Sequence, residues 1–573
     1  MDNPRLYLWL AFGVLAWLNV IQWQHDYDKP APAPVAVTAP SATSPASTVA
    51  TAANSQSQLP ALPPDSGATA PATGTAAATA AATVAAAAAP GATPAASQKV
   101  RIVTDVLDLE VSLQGGNVLQ ADLLKYPRDK QDGSPPVQLL STEEGTYSVV
   151  RSGLRATDGG AEPDHLATYS AAATEYRLQP GAQELRVPLT WTNDQGLTVM
   201  KTFVLHPGRY EIGIEYSIHN ASTATWKAAS YVQFVRRIYS QKRSMFDVES
   251  YAYRGPAIYD GQKYRKLNVD DSDDVKFQQL ATGGWMAEMQ HHFVSAGIPP
   301  AGEPYEFSMR REGEHALVSY RGPVQAVAAG ASALIRESLF IGPKLQDQLK
   351  TAGPKLELTV DYGKLTIISQ PLFWLLQQVH RFVGNWGLAI ILVTALLKLA
   401  FYKLTETSGR SMAKMRAIQP RIKNIQDRYK DDREQLAKQM MELYKREKIN
   451  PVAGCLPIVV QIPVFLAFYW VLLESVEMRQ APFFLWIQDL SSKDPFFILP
   501  IIMGIGMYGQ FKLNPAPPDP MQAKMFAFMP VVMTVMMAWF PSGLVLYWIT
   551  NTALSIAQQW NINRVVALEA KKT

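Results

Sequence analysis

With 573 residues, 48% of them apolar and 18% charged, the chain is long enough for several domains. A net charge of +4 is too weak a field to hold nucleic acid, and a single cysteine, Cys455, excludes an intramolecular disulfide framework. The apolar residues concentrate in six segments, 6–23, 386–403, 452–473, 495–511, 525–540 and 542–560, each bounded by Pro, Gly or charge. About eighteen such residues reach across a hydrocarbon layer, and the shorter segments do so with their aromatic flanks, so six transmembrane helices are expected.

The first segment ends in Gln22, Trp23 and Gln24, an interfacial finish that suits an uncleaved anchor. A cleaved signal peptide with a site near Ala31 is the alternative. Residues 30–98 are dominated by Ala, Pro, Thr, Ser and Gly, with no aromatic and one charge, Asp65, a composition that cannot form a packed core and reads as a disordered tether.

From residue 99 the texture becomes short alternating runs. Leu107, Leu109, Val111 and Leu113 form one; Leu185, Val187, Leu189 and Trp191 another; Ile212, Ile214, Tyr216 and Ile218 a third. Turn signals such as Gln114-Gly-Gly-Asn117 and His206-Pro-Gly208 separate them, which predicts an antiparallel β-sandwich or barrel. His291 and His292 are expected on a strand, where neighbours point to opposite faces, and so make no metal site.

In residues 371–383, Leu372, Leu375, Leu376, Val379, Phe382 and Val383 repeat at helical spacing, with Gln377, Gln378 and Arg381 opposite. This predicts a helix in the membrane interface, with packing against the β-domain as the alternative. The next segment contains Lys398. A charge at a helix centre in lipid costs about 2.5–3.5 kcal/mol, so Lys398 either faces protein or water as a functional group, or snorkels to the headgroups from the helix end.

Residues 403–450 carry thirteen Lys/Arg against seven Asp/Glu, a balance of +6, whereas residues 474–494 balance to −2. The positive-inside rule then puts the first loop and both termini in the cytoplasm and residues 26–370 in the periplasm. Within the basic loop Met412, Met415, Ile418, Ile422, Ile425 and Tyr429, then Leu436, Met440 and Leu443, step by three and four. They predict a helical hairpin kinked at Pro420. Its methionines suit a surface for varied partners, or they simply zip the arms together.

Thr394 and Lys398 are four apart and share a face. Gln461 lies between Pro457 and Pro463, and the last segments add Trp539, Tyr547, Trp548, Thr550 and Asn551. This pattern reads as the lining of a hydrated intramembrane cavity. Interhelical hydrogen bonding is the alternative for Thr394, Gln461 and Asn551. Cys455 reads as a small residue packed among helices. There is no phosphate-binding G-x-x-x-x-G-K-[ST] loop and no repeated half of a transporter type.

Several motifs carry a resemblance: Gly384-Asn-Trp-Gly387, Ser411-Met-Ala-Lys-Met415, Gln419-Pro420, Asn450-Pro451, Gly454-Cys-Leu-Pro457 and Ser475-Val-Glu-Met-Arg-Gln-Ala-Pro482. Asp519-Pro-Met-Gln522, Phe528-Met-Pro530 and Trp539-Phe-Pro-Ser-Gly-Leu-Val-Leu-Tyr547 complete the set. The sequence closely resembles the YidC membrane protein insertases of Gram-negative bacteria, strongly over 371–565 and more weakly before. The resemblance implies an α+β membrane protein of the inner membrane with six transmembrane helices, one N-terminal anchor plus a five-helix core. A large periplasmic antiparallel β-sandwich domain, similar to sugar-mutarotase folds, and a cytoplasmic helical hairpin complete it.

The division expected is 1–25 anchor, 26–98 tether, 99–353 β-domain, 354–385 interfacial helix and 386–573 core with the hairpin at 404–450. A groove open to cytoplasm and lipid is implied, lined by Lys398, Thr394, Gln461, Trp539, Tyr547 and Trp548. Lysine stands where the family usually has arginine, which keeps charge but loses the planar fork. The implied activity is insertion and folding of nascent membrane proteins at the bilayer, with the Sec translocon and ribosome as partners. No cofactor, metal, enzymatic reaction or specific nucleic acid is expected. A secondary transporter and a tethered periplasmic carbohydrate enzyme are the rival readings.

Overall fold

The computed structural model describes residues 99–157, 159–239, 252–429, 432–447, 456–513 and 520–570. The expected N-terminal anchor, the tether and Cys455 lie outside them. Strands between Lys99 and Pro343 form one sheet of 11 strands and one of 9. Pairing is antiparallel except where the strand Lys99–Val103 runs parallel to Glu175–Arg177. The alternation expected from sequence governs burial: the strand Glu211–Asn220 turns Ile212, Ile214, Tyr216 and Ile218 inward. The strand Trp226–Arg237 is buried on both faces; on the side away from the other sheet Tyr231 meets the 163–169 loop, and Val235 packs with Val149 and Leu317. That loop's His165 N–H donates to the Tyr231 hydroxyl at 2.9 Å.

Two polar groups cross between the sheets. Lys201, fully buried, donates from Nζ to the carbonyls of Gly115, Gly116 and Ser152 at 3.0, 2.9 and 2.9 Å, which uses all three of its protons. Glu337 accepts from Ser230 Oγ and from the Tyr320 hydroxyl, each at 2.6 Å. Burial pushes its carboxyl up to about 7. The Gln114-Gly-Gly-Asn117 turn forms as expected. Gly115 has φ 76°, and a Cβ there would overlap the His165 backbone.

His291 and His292 are not on a strand. They occupy the connection between the strands Trp285–Met289 and Phe293–Ile298, where no pleat separates neighbours, and their rings stack with centroids 3.8 Å apart. His291 Nε2 bonds the Leu473 carbonyl at 2.9 Å. Burial pushes its imidazole down to about 3, so the ring is neutral and donates there.

Among the described residues ten helices follow: α1 (Gln346–Ala352), α2 (Thr366–Val383), α3 (Trp386–Ala400), α4 (Tyr402–Ala417), α5 (Gln419–Arg428), α6 (Arg433–Arg446), α7 (Leu456–Glu474), α8 (Ile498–Leu513), α9 (Pro520–Met537) and α10 (Ser542–Ala570). Each apolar segment described is helical, but the boundaries differ from those expected. The segment 386–403 breaks after α3, and α10 continues ten residues past 560, since nothing there stops a helix. Among the described residues no single helix is long and apolar enough to cross a membrane; α3 and α4 pass that test together, bent by 68°. The longest helix, α10, packs against α3, α4, α7 and α8, and α9 packs on α8.

The buried stripe of α2, formed by Ser369, Leu372, Phe373 and Leu376, faces α3 and α7 rather than the sheets. Phe382, expected on that stripe, is exposed, as are Ile367 and Trp374. Pro420 does not kink a helix but opens α5, where its missing N–H leaves no bond unmade. Ile418, Ile422, Met440, Leu443 and Tyr444 bury one another between α5 and α6, with Met415 against them. Met440 and Met415 therefore join the arms, and it is Met441 that faces out.

The β-domain is joined to the helices through the segment after α7. Arg479 donates to the carbonyls of Pro127 and Arg128 at 3.0 and 2.8 Å, and the Tyr362 hydroxyl meets Ser475 Oγ at 3.2 Å. Asn385 caps α3 by accepting from Leu388 N, while its own amide donates to the carbonyls of Pro482 and Phe483. Gly387 lies so close to Phe483 that a Cβ would overlap the ring.

Gly387→Ala should therefore lower stability by about 1–3 kcal/mol, while Gly145→Ala, with open space at its Cβ, should leave it unchanged; thermal unfolding in detergent reads both. A second expectation concerns Glu337. Its folded value is raised above the ordinary 4.5, so its contribution is complete below that value and is lost as pH rises through about 7. Glu337→Gln should match the parent near pH 4 and exceed it at pH 8, by up to about 3 kcal/mol.

Candidate functional site

A cleft opens where α3, α4, α7 and α10 meet. Thr394, Leu397 and Lys398 of α3 line it with Phe401 at the bend and Leu404 and Thr405 of α4. Val460, Gln461 and Val464 of α7 and Tyr547 and Asn551 of α10 complete the wall. Four of the six residues expected from sequence, Thr394, Lys398, Gln461 and Tyr547, are thus brought together.

The bend puts Lys398 where it is. Phe401 leaves the helix at φ −91°, ψ 11°, and no proline is involved. Thr405 and Thr407 return their hydroxyls to the carbonyls of Phe401 and Lys403 at 3.1 and 3.0 Å, back-bonds of the kind that bend helices. Lys398 lies in the last turn of α3, where the helix macrodipole favours a cation. It does not run outward from the helix end: Nζ donates to Ser555 Oγ of α10 at 2.8 Å, and Ser555 donates on to the Asn551 carbonyl at 2.7 Å. Among the described residues no carboxylate pairs with it. The nearest acid in sequence, Glu406, pairs instead with Lys403 and Arg410 at 3.7 and 3.2 Å.

The rest of the wall is fixed by packing. Tyr547 stacks on Phe468 at 4.4 Å between centroids, and the Gln461 side chain is a hydrogen-bonding neighbour of its hydroxyl. Thr394 Oγ1 donates to the Ile390 carbonyl of its own helix at 2.6 Å, so its proton is used within α3. The cleft thus combines one ammonium, a few neutral polar groups and apolar walls. No group in it is poised as a nucleophile with a base beside it.

Trp548 and Trp539 are not in the cleft. Adjacent residues on a helix are about 100° apart, so with Tyr547 facing the cleft, Trp548 packs edge-on against Phe465 at 4.8 Å. Trp539 lies in the turn between α9 and α10. The residue that sequence reasoning missed is Ser555. Its signal was the four-residue step Tyr547, Asn551, Ser555 along one face of α10.

Family models match both parts of the chain: "YidC periplasmic domain" over residues 99–375 and "60Kd inner membrane protein" over residues 378–570. The membrane protein insertase YidC of Thioalkalivibrio sulfidiphilus is 44% identical over the full length of both chains. That of Methylococcus capsulatus is 46% identical over 82% of this chain and 86% of its own. A crystal structure of an active YidC insertase with its first transmembrane domain resolved aligns with 81% of this chain and 92% of its own at 19% identity and a TM-score of 0.36. With a full-length relative at 44% identity and both regions matched, the chain belongs to the YidC family of membrane protein insertases.

Proposed function

We propose that this protein inserts other membrane proteins into the inner membrane through the cationic cleft, without nucleotide hydrolysis. The observation that carries this reading is Lys398, an ammonium among apolar helices that is held by a hydroxyl and has no carboxylate partner among the described residues. Two unit charges 4 Å apart attract by about 1 kcal/mol in water but by about 4 kcal/mol at an effective dielectric of 20. An unpaired lysine in such a cleft therefore draws an acidic or polar client segment part-way into the bilayer. The client's apolar helix then leaves sideways into lipid, driven by roughly 0.8 kcal/mol for each CH₂ buried.

The topology belongs to the same reading. An N-terminal anchor and five core helices span the membrane, with the segments containing α3 and α7 to α10 as the core spans. Both termini and the basic α5–α6 hairpin are cytoplasmic, and residues 26–370 are periplasmic. The +6 balance of residues 403–450 against −2 for residues 474–494 supports it. Flanking aromatics and local thinning of the bilayer make up the length each helix lacks: the 19 residues of α7 give about 28 Å at 1.5 Å per residue, close to the hydrocarbon thickness of about 30 Å. The basic hairpin and Arg564 offer cationic contacts for a ribosome, and the outer faces of the core helices offer contacts for the Sec translocon.

The test is depletion of the protein in cells complemented by Lys398 variants, with integration of small one- and two-span clients followed by protease protection. Lys398→Arg should support integration. Lys398→Ala should slow clients with acidic N-terminal tails by about tenfold, the factor given by a loss of ~1.4 kcal/mol, and Lys398→Glu should block them. Unchanged integration with Lys398→Glu would overturn the reading.

A further inference from the structure

We propose that the connection between α7 and α8, residues 475–497, is a lipid anchor whose aromatic tip enters the headgroup region of the bilayer beneath the β-domain. The inference rests on the reading of α7 and α8 as spans. Phe484, Leu485, Phe496 and Phe497 all face outward from this connection, Leu485 at 79% and Phe496 at 64% exposure. A floppy loop would fold such residues away from water. Here the backbone prevents it.

Leu485 and Phe497 have φ of 56° and 57°, a region that side-chain-bearing residues adopt only when their surroundings hold them there. The holding group is Asp494, buried beneath the tip. Its Oδ1 accepts from Trp486 Nε1 and from Phe496 N, both at 3.0 Å, and its Oδ2 accepts from Leu499 N at 2.7 Å in the first turn of α8. Phe483 N–H donates to the Ile487 carbonyl and Ile487 N–H to that of Phe484, at 2.9 and 3.1 Å, closing the turn that carries Phe484 and Leu485. One buried carboxylate thus fixes both halves of an exposed apolar tip.

Lipid is the occupant this surface fits, because the patch does not end with the connection. Phe497, Ile501, Ile505 and Tyr508 step by four, four and three along α8, and all are exposed, so the outer face of a proposed span runs into the tip without a break. Phenylalanine and leucine beside Trp486 and Lys493 make an interfacial composition. The opposite side of the connection grips the β-domain. Arg479 holds the carbonyls of Pro127 and Arg128, and Lys130 Nζ donates to the carbonyls of Gln480, at 3.1 Å, and Gln488. Anchored below and gripped above, the connection sets the height of the β-domain over the membrane.

Full-length protein with Cys455→Ser and one new cysteine, Leu485→Cys, would be labelled with an environment-sensitive fluorophore and reconstituted into phosphatidylethanolamine–phosphatidylglycerol vesicles. Spin-labelled lipids would carry the quencher at headgroup or mid-chain depth. Phe484→Cys repeats the measurement at a neighbour without positive φ, and Ile505→Cys and Leu280→Cys mark a span and the β-domain surface. The expected result is blue-shifted emission at 485 and 484, quenched most by the headgroup label, with 505 quenched at mid-chain and 280 unquenched. Water-like emission at 485 and 484 with 505 still quenched overturns the anchor alone. Blue-shifted emission there without lipid quenching overturns it in favour of a protein occupant. An unquenched 505 overturns the span reading and the anchor with it.

Discussion

An ammonium among apolar helices must be hydrogen-bonded, and around Lys398 that requirement organises the helical region. The bend at Phe401 turns α4 away and leaves Lys398 in the last turn of α3, beside the polar face of α10. Ser555 Oγ accepts from the ammonium and donates its own O–H to the Asn551 carbonyl, so the chain of donors ends on an acceptor without calling for a carboxylate. A buried ion pair there would be self-satisfied and electrically quiet. A lysine held, among the described residues, by a neutral hydroxyl keeps most of its field, and the proposed insertion route uses that field.

The same economy of polar contacts joins the two halves of the molecule. Residues 475–482 contain no regular helix beyond a single tight turn, yet Ser475, Arg479 and Pro482 each meet a different partner: Tyr362, the Pro127 and Arg128 carbonyls, and Asn385. These contacts explain why this stretch is a motif although it lines no cleft. It is a joint. Asn385 both caps α3 and ties its start to that joint, so the β-domain contacts and the helix that carries Lys398 share one fixed point.

Much of this was legible in the residues. Period-two alternation marked those strands that have one wet and one dry face, and Ile212, Ile214, Tyr216 and Ile218 are buried as that rule requires. Apolar length marked the helices for the same kind of reason. The places where the reading failed are those where a local rule met a neighbour. Adjacent histidines were assigned to strand geometry and lie instead in a turn. Pro420 was read as a kink and is a helix start, because a proline costs nothing where no N–H is needed. Phe382 fits the buried stripe of α2 by spacing, yet lies past the end of what α3 and α7 cover.

For the site, the types of residue and their helical faces were fixed by the sequence: a lysine four residues after a threonine, a glutamine between prolines, a tyrosine with asparagine one turn on. Helical periodicity is a local property, so it can be read from a single chain. Which of those faces meet, and therefore that Tyr547 enters the cleft while Trp548 and Trp539 do not, was decided only by the packing of α3, α4, α7 and α10. So was the partner of Lys398: Ser555 lies 157 residues away, and no spacing rule reaches that far, because the contact exists only once four helices have closed around it.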